Sequence, residues 1–130
     1  MGSRGTMDLV AEAKETIENL SPADVALELE GAEVVLVDLR EREELEAQGM
    51  ISGAVHAPRG MLEFYADPST PYHREELHRD KRTILYCATG GRSALAARTL
   101  KELGYRDVAH LDGGLKAWAG AGNSIESPAS

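Results

Sequence analysis

Short apolar runs alternate with helical stretches along this chain, and that alternation restricts its fold more than any other feature. Residues 34–37 read Val-Val-Leu-Val, the unbroken pattern of a strand covered on both faces rather than one half-exposed to water. Residues 54–57, 84–86 and 108–111 read as further short strands. Helical segments fall between them, at 41–48, 61–66, 75–79 and 93–103, with Gly49 and Gly104 placed to end two of them. Strands spaced by helices need crossover connections. The pattern therefore predicts an α/β fold, a central parallel sheet of about five short strands with helices on both faces.

Local signals sharpen the reading. Ser21-Pro22-Ala23-Asp24 is a helix start: Ser21 caps, Pro22 takes the first helical position, Asp24 faces back as in a capping box, and Leu20 staples onto Val25. Gly31 ends that helix. The 130 residues fit one domain able to bury a core without staples. Residues 1–15 are set apart as an N-terminal extension whose first six read as a cloning remnant, 16–122 as the domain, and 123–130 as a flexible polar tail. Net charge is −8, which argues against a nucleic-acid surface and requires any anion site to be local. The chain lacks an 18-residue apolar stretch and a basic-then-apolar leader, so no membrane partner is expected and the expected location is the cytoplasm.

The lone cysteine, Cys87, sits where the strand at 84–86 turns toward a helix, in Cys87-Ala88-Thr89-Gly90-Gly91-Arg92-Ser93. Glycines there let backbone N–H groups turn inward, and the helix start adds partial positive charge, so the loop suits a thiolate. Making the thiolate predominate at neutral pH takes roughly 2.7 kcal/mol. One or two charge-assisted N–H bonds at about 1.5–3 kcal/mol each, with the helix dipole, suffice. The plainer reading, a small buried hydrophobe at a strand end, is weakened by the flanking Gly-Gly-Arg-Ser.

Several segments together resemble the single-domain rhodanese family of sulfurtransferases: Val37-Asp38-Leu39-Arg40-Glu41 with Glu44, then residues 49–58 (Gly-Met-Ile-Ser-Gly-Ala-Val-His-Ala-Pro), the loop 87–93, and residues 111–118 (Leu-Asp-Gly-Gly-Leu-Lys-Ala-Trp). Met50 stands where that family usually carries histidine, in a turn away from the cysteine loop, with little consequence expected. The resemblance implies a Cys87 persulfide that takes sulfur from thiosulfate or a similar small anionic donor and gives it to cyanide, a thiol or a protein acceptor. Ala88, Thr89, Gly90, Gly91, Arg92 and Ser93 would bind substrate through their N–H groups and the Arg92 side chain. No second cysteine exists to resolve the persulfide, so transfer goes to an outside acceptor.

Other features have plainer readings. Asp38 and Arg40 are expected as a structural ion pair and 41–46 as a solvated acidic face. Arg59 reads equally as a border of the site and as an exposed loop arginine. Phe64, Tyr65 and Tyr72 are candidates to wall a pocket mouth, and Leu115 and Trp118 read as core. His56 is expected as a hydrogen-bonded structural histidine, with a Cys–His dyad as the less favoured role. His56, His73, His78 and His110 show no zinc spacing, so neither metal nor cofactor is expected. Two alternatives stay open: a noncatalytic persulfide-carrying or protein-binding module, and a phosphatase or arsenate-reductase relative. The second is disfavoured because four residues separate Cys87 from Arg92, one fewer than in the phosphatase signature.

Overall fold

In the computed structural model, which describes residues 4–31 and 33–127, the apolar runs form one five-stranded sheet with every neighbouring pair parallel. The elements are α1 (Thr6–Thr16), β1 (Glu18–Leu20), α2 (Pro22–Gly31), β2 (Val34–Asp38), α3 (Arg42–Gln48), β3 (Val55–His56), a 3-10 turn (Arg59–Met61) leading into α4 (Leu62–Ala66), β4 (Arg82–Tyr86), α5 (Gly91–Glu102), β5 (Val108–Leu111) and α6 (Gly114–Gly120). The strand order is β1-β5-β4-β2-β3.

Both faces of the sheet are covered, as the continuous apolar runs require. Side chains alternate between them. Val37, Leu39, Leu85 and Cys87 pack with Leu62 and Ala66 of α4 and Ala96, Ala97 and Leu100 of α5. Leu36, Ile84, Tyr86, Ala109 and Leu111 pack with Val25 of α2 and Leu115 and Trp118 of α6. The α2 start forms as read: Asp24 N–H donates to Ser21 Oγ at 3.1 Å, Ser21 N–H lies 3.4 Å from Asp24 Oδ2, and Leu20 joins the cluster of Val25.

Three local expectations change. The helix expected at 75–79 is a series of turns, with Leu77 N–H donating to Arg74 O and Lys81 N–H to His78 O. Leu77 is the one buried residue from 71 to 80, and a single apolar anchor cannot make a helical stripe. Ahead of the expected domain start, α1 forms with Asp8 accepting from Gly5 N–H at 2.9 Å, and its Val10 and Ala13 pack on Ala94 of α5. The tail read as loose is held as far as Glu126. Met50 and Glu126 exchange backbone hydrogen bonds, Trp118 Nε1 donates to Ser124 O at 2.9 Å, and Ile125 packs on the α2–α6 face. One isoleucine in a polar segment is enough to dock it. Among the described residues no helix is long and apolar enough to cross a membrane.

The carboxyl ends of β2 and β4 are adjacent, with Asp38 in register with Tyr86. This edge, where ligands gather in parallel sheets, holds the Cys87 loop.

Candidate active site

Beyond Tyr86 the backbone folds around the cysteine sulfur. Gly90 adopts the left-handed conformation, φ +107°, and caps α5, which lets the helix begin at Gly91, earlier than the sequence suggests. Cys87 Sγ accepts from Gly90 N–H at 3.2 Å and from Ser93 N–H at 3.3 Å. The second donor is one of the first-turn N–H groups that a helix leaves free. The N–H groups of Gly91 and Arg92 have no acceptor among the described residues. Cys87 itself is 1% exposed.

The loop carbonyls face the other way and are held by α6. Leu115 N–H donates to Cys87 O at 2.9 Å and Lys116 N–H to Ala88 O at 3.1 Å. The free N–H groups of one helix start thus tie the loop that precedes another. Close approach demands Gly114: with φ +64°, a Cβ there would lie 2.6 Å from Cys87 O and from the Ala88 carbonyl.

Arg92 does not stand free. Its guanidinium forks onto Glu44 of α3, Nη1 to Oε1 at 2.8 Å and Nη2 to Oε2 at 2.9 Å. This hydrogen-bonded pairing holds the Glu44 carboxyl down at about 2. The same Glu44 accepts from Glu41 N–H, closing the start of α3. Of the acidic stretch, Glu41, Glu43 and Glu46 are exposed as expected, and Glu44 is the exception that the sequence reading missed.

A buried polar chain runs behind the sulfur. Ser93 Oγ lies 3.6 Å from Cys87 Sγ and 2.8 Å from His110 Nδ1, and His110 Nε2 lies 2.8 Å from Asn19 Oδ1. Ser93 and His110 are fully buried. Burial pushes the imidazole down to about 4, with Asp112 pulling weakly the other way, so His110 is neutral at pH 7. The register of β5 with β1 places Asn19 directly beside His110. His110 and Asn19 were not among the expected site residues. The available signal was a lone polar residue inside the apolar run at 108–111, since a histidine buried on both sides needs a partner.

Asp38 and Arg40 form the structural pair that was expected. Asp38 accepts from Arg40 N–H, Nε and Nη2 at 2.9, 3.1 and 2.8 Å, and both side chains are fully buried. Burial opposes the Arg40 charge, but the Asp38 hydrogen bonds and charge outweigh it and raise the guanidinium above its ordinary range. Arg40 Nη2 also donates to Gly49 O at 2.6 Å, and the guanidinium carbon lies 5.8 Å from the Tyr86 ring centre. His56 contacts Arg40 O at 2.7 Å, the structural role favoured for it, and is not among the hydrogen-bond partners of Cys87 Sγ.

Of the other residues singled out, Arg59 pairs with Glu63 and reaches Thr99. Phe64 and Tyr72 form an exposed edge-to-face pair, and Tyr65 lies under Arg74. Leu115 and Trp118 are core. An apolar cleft of about 370 Å³ flanks the loop, lined by Ala88, Thr89, Leu115, Lys116, Ala119 and Ile125 among others.

Comparison with known proteins agrees with this geometry. The model of the rhodanese-like domain family matches residues 21–121. A protein of Allochromatium vinosum named sulfurtransferase is 36% identical over 96 residues, covering 74% of this chain and 81% of its own. A solved structure from Rhodopseudomonas palustris, of unknown function and described as a possible tyrosine phosphatase, superposes with TM-score 0.87 at 43% identity over 97% of both chains. The thiosulfate sulfurtransferase of Pseudomonas aeruginosa superposes with TM-score 0.78 at 25% identity, over 96% of this chain and 23% of its own.

Proposed function

We propose that this chain, which belongs to the rhodanese-like domain family, moves sulfane sulfur from a small anionic donor to a thiophilic acceptor through a persulfide on Cys87. The observation that carries the reading is the pair of N–H donors on a single buried sulfur, from Gly90 and Ser93 at 3.2 and 3.3 Å. Together with the start of α5 they set hydrogen-bond donors and partial positive charge around the sulfur, the surroundings that an anionic sulfur requires. Family membership supports sulfur transfer in general; the donor and acceptor are part of the proposal.

In the first step the Cys87 thiolate attacks the outer sulfur of thiosulfate. The bond to the inner sulfur breaks and sulfite leaves with the electron pair. The persulfide anion carries its charge on the added sulfur, and the N–H groups of Gly91 and Arg92, which have no acceptor among the described residues, are the loop donors left to meet it. An acceptor thiolate or cyanide then attacks that outer sulfur, and Cys87 leaves as the thiolate. No net oxidation of the protein occurs. The apolar cleft beside Ala88 and Thr89, with Lys116 on its lining, favours an acceptor with a carbon body, such as an organic or protein thiol, over cyanide.

Mass spectrometry after thiosulfate treatment tests the reading. The expected result is a gain of one sulfur that cyanide removes, absent from Cys87→Ser, together with thiocyanate production that the same substitution abolishes. An inert thiol favours a noncatalytic binding module. The structural neighbour described as a possible tyrosine phosphatase gives a second reading a specific basis. The loop opposes it, because the four residues between Cys87 and Arg92 leave less room for a tetrahedral oxyanion. Turnover of a chromogenic aryl phosphate would reverse the ranking.

A further inference from the structure

The polar chain behind the nucleophile ends in an asparagine, and that fixes every hydrogen along it. Asn19 Nδ2 donates to the carbonyls of Lys14 and Ile17 at 2.9 and 3.2 Å. Carbonyls only accept, so Oδ1 is the atom turned toward His110, and His110 Nε2 must donate to it. A neutral ring then has a bare Nδ1 at 2.8 Å, which takes the one hydrogen of the Ser93 hydroxyl in preference to the Gly90 carbonyl at 3.3 Å. With its hydrogen committed, Ser93 Oγ can show Cys87 Sγ only lone pairs, at 3.6 Å. Burial also holds the imidazole down at about 4, which makes it a weak base for the thiol's proton.

We propose that Asn19 and His110 are positioning residues that lock the Ser93 hydroxyl away from Cys87, so that it accepts from the thiol instead of donating to the thiolate. The lock opposes the two N–H donors of the loop and keeps Cys87 from becoming more acidic than they alone would make it. That has a chemical use. Thiolate nucleophilicity falls as acidity rises, and the best attacking thiol ionises near the ambient pH.

Two ion pairs flank the chain. On the Cys87 side stand Arg92 of α5 and Glu44 of α3; on the His110 side stand Lys14 of α1 and Asp112 after β5, 2.8 Å apart. Lys116 of α6, on the cleft beside Ala88, has no ion-pair partner among the described residues and is unchanged in every variant below.

The inference rests on the reading above only in taking Cys87 as the nucleophile. Its readout is ionisation of the chain's one cysteine, followed through the ultraviolet absorbance of the thiolate across pH, which needs neither sulfur transfer nor reagent access. His110→Phe removes the stronger acceptor and leaves the hydroxyl to divide its hydrogen between Gly90 O, 3.3 Å away, and the sulfur at 3.6 Å. The ionisation constant of the thiol is expected to rise by up to roughly tenfold, read as a shift of the titration midpoint to lower pH, the weight of about one hydrogen bond to a charged acceptor. Asn19→Ala, at an exposed position, releases the ring tautomer and is expected to move the profile in the same direction; it decides the matter if His110→Phe fails to fold. Adding Ser93→Ala to either variant is expected to cancel the rise. An unchanged profile in folded Asn19→Ala, or a fall in ionised fraction of the kind a general-base relay gives, overturns the proposal. Loss of sulfur transfer with the thiolate profile behaving as stated would instead count against the proposed function.

Discussion

At the scale of single residues, the site departs most from expectation at Arg92. The sequence assigns its side chain to an anionic donor, but the guanidinium is forked onto Glu44, and a neutralised pair attracts an anion weakly. Glu44→Gln keeps one hydrogen-bond acceptor and removes the opposing charge. The expected outcome is a KM for thiosulfate lowered about two- to fivefold, an effect of about 0.5–1 kcal/mol for a partly exposed pair, with kcat nearly unchanged in the thiocyanate assay. A raised KM would mean that Glu44 serves by holding Arg92 in place. The Cys87 loop itself was legible because its instructions are local: glycines, a helix start and one cysteine lie within seven consecutive residues. Glu44 was not, because it stands 48 positions from Arg92 in a stretch whose composition describes any solvated helix face.

At the scale of elements, two helix starts do unlike work. The amino end of α5 aims its N–H groups at Cys87, and that of α6 holds the carbonyls of Cys87 and Ala88 outward. The second contact has no tolerance for a side chain. Gly114→Ala sets a methyl 2.6 Å from the loop carbonyls and forces α6 or the loop to shift. The expected cost is about 1–3 kcal/mol, as for overpacking, read as a lowered urea midpoint, and sulfur transfer is expected to fall more than tenfold because the donors around the sulfur move with the loop. Gly120→Ala on the same helix meets nothing within 4 Å and serves as the control. Element boundaries followed the strength of their local signals. The capping box fixed the start of α2, whereas 75–79, with Leu77 its sole buried residue, had too little apolar pattern to be a helix.

For the molecule as a whole, the buried imidazole couples the site to stability. The folded value of His110 lies near 4 against about 6.5 for an exposed histidine. The unfolded chain therefore binds the extra proton first as pH falls. Stability from this group is complete above about 6.5 and is lost progressively down to 4, a change on the order of 3 kcal/mol. Urea midpoints measured from pH 7.5 to 4 are expected to show that slope, and His110→Phe to flatten it. An equal slope in the variant would assign the loss to other groups.

The amino-acid sequence by itself determined the class of fold, the covering of both faces and the place of the lone cysteine at the end of its strand. These follow from runs of apolar residues and from turn and cap chemistry that act over a few positions. Only the tertiary structure decided which polar groups meet the sulfur and its neighbours. Glu44 reaches Arg92 from α3, and Asn19 reaches His110 across 91 positions of chain. The physical reason is the parallel sheet, which brings distant strand ends to one edge and sets side chains beside one another by register, a pairing that no local pattern encodes.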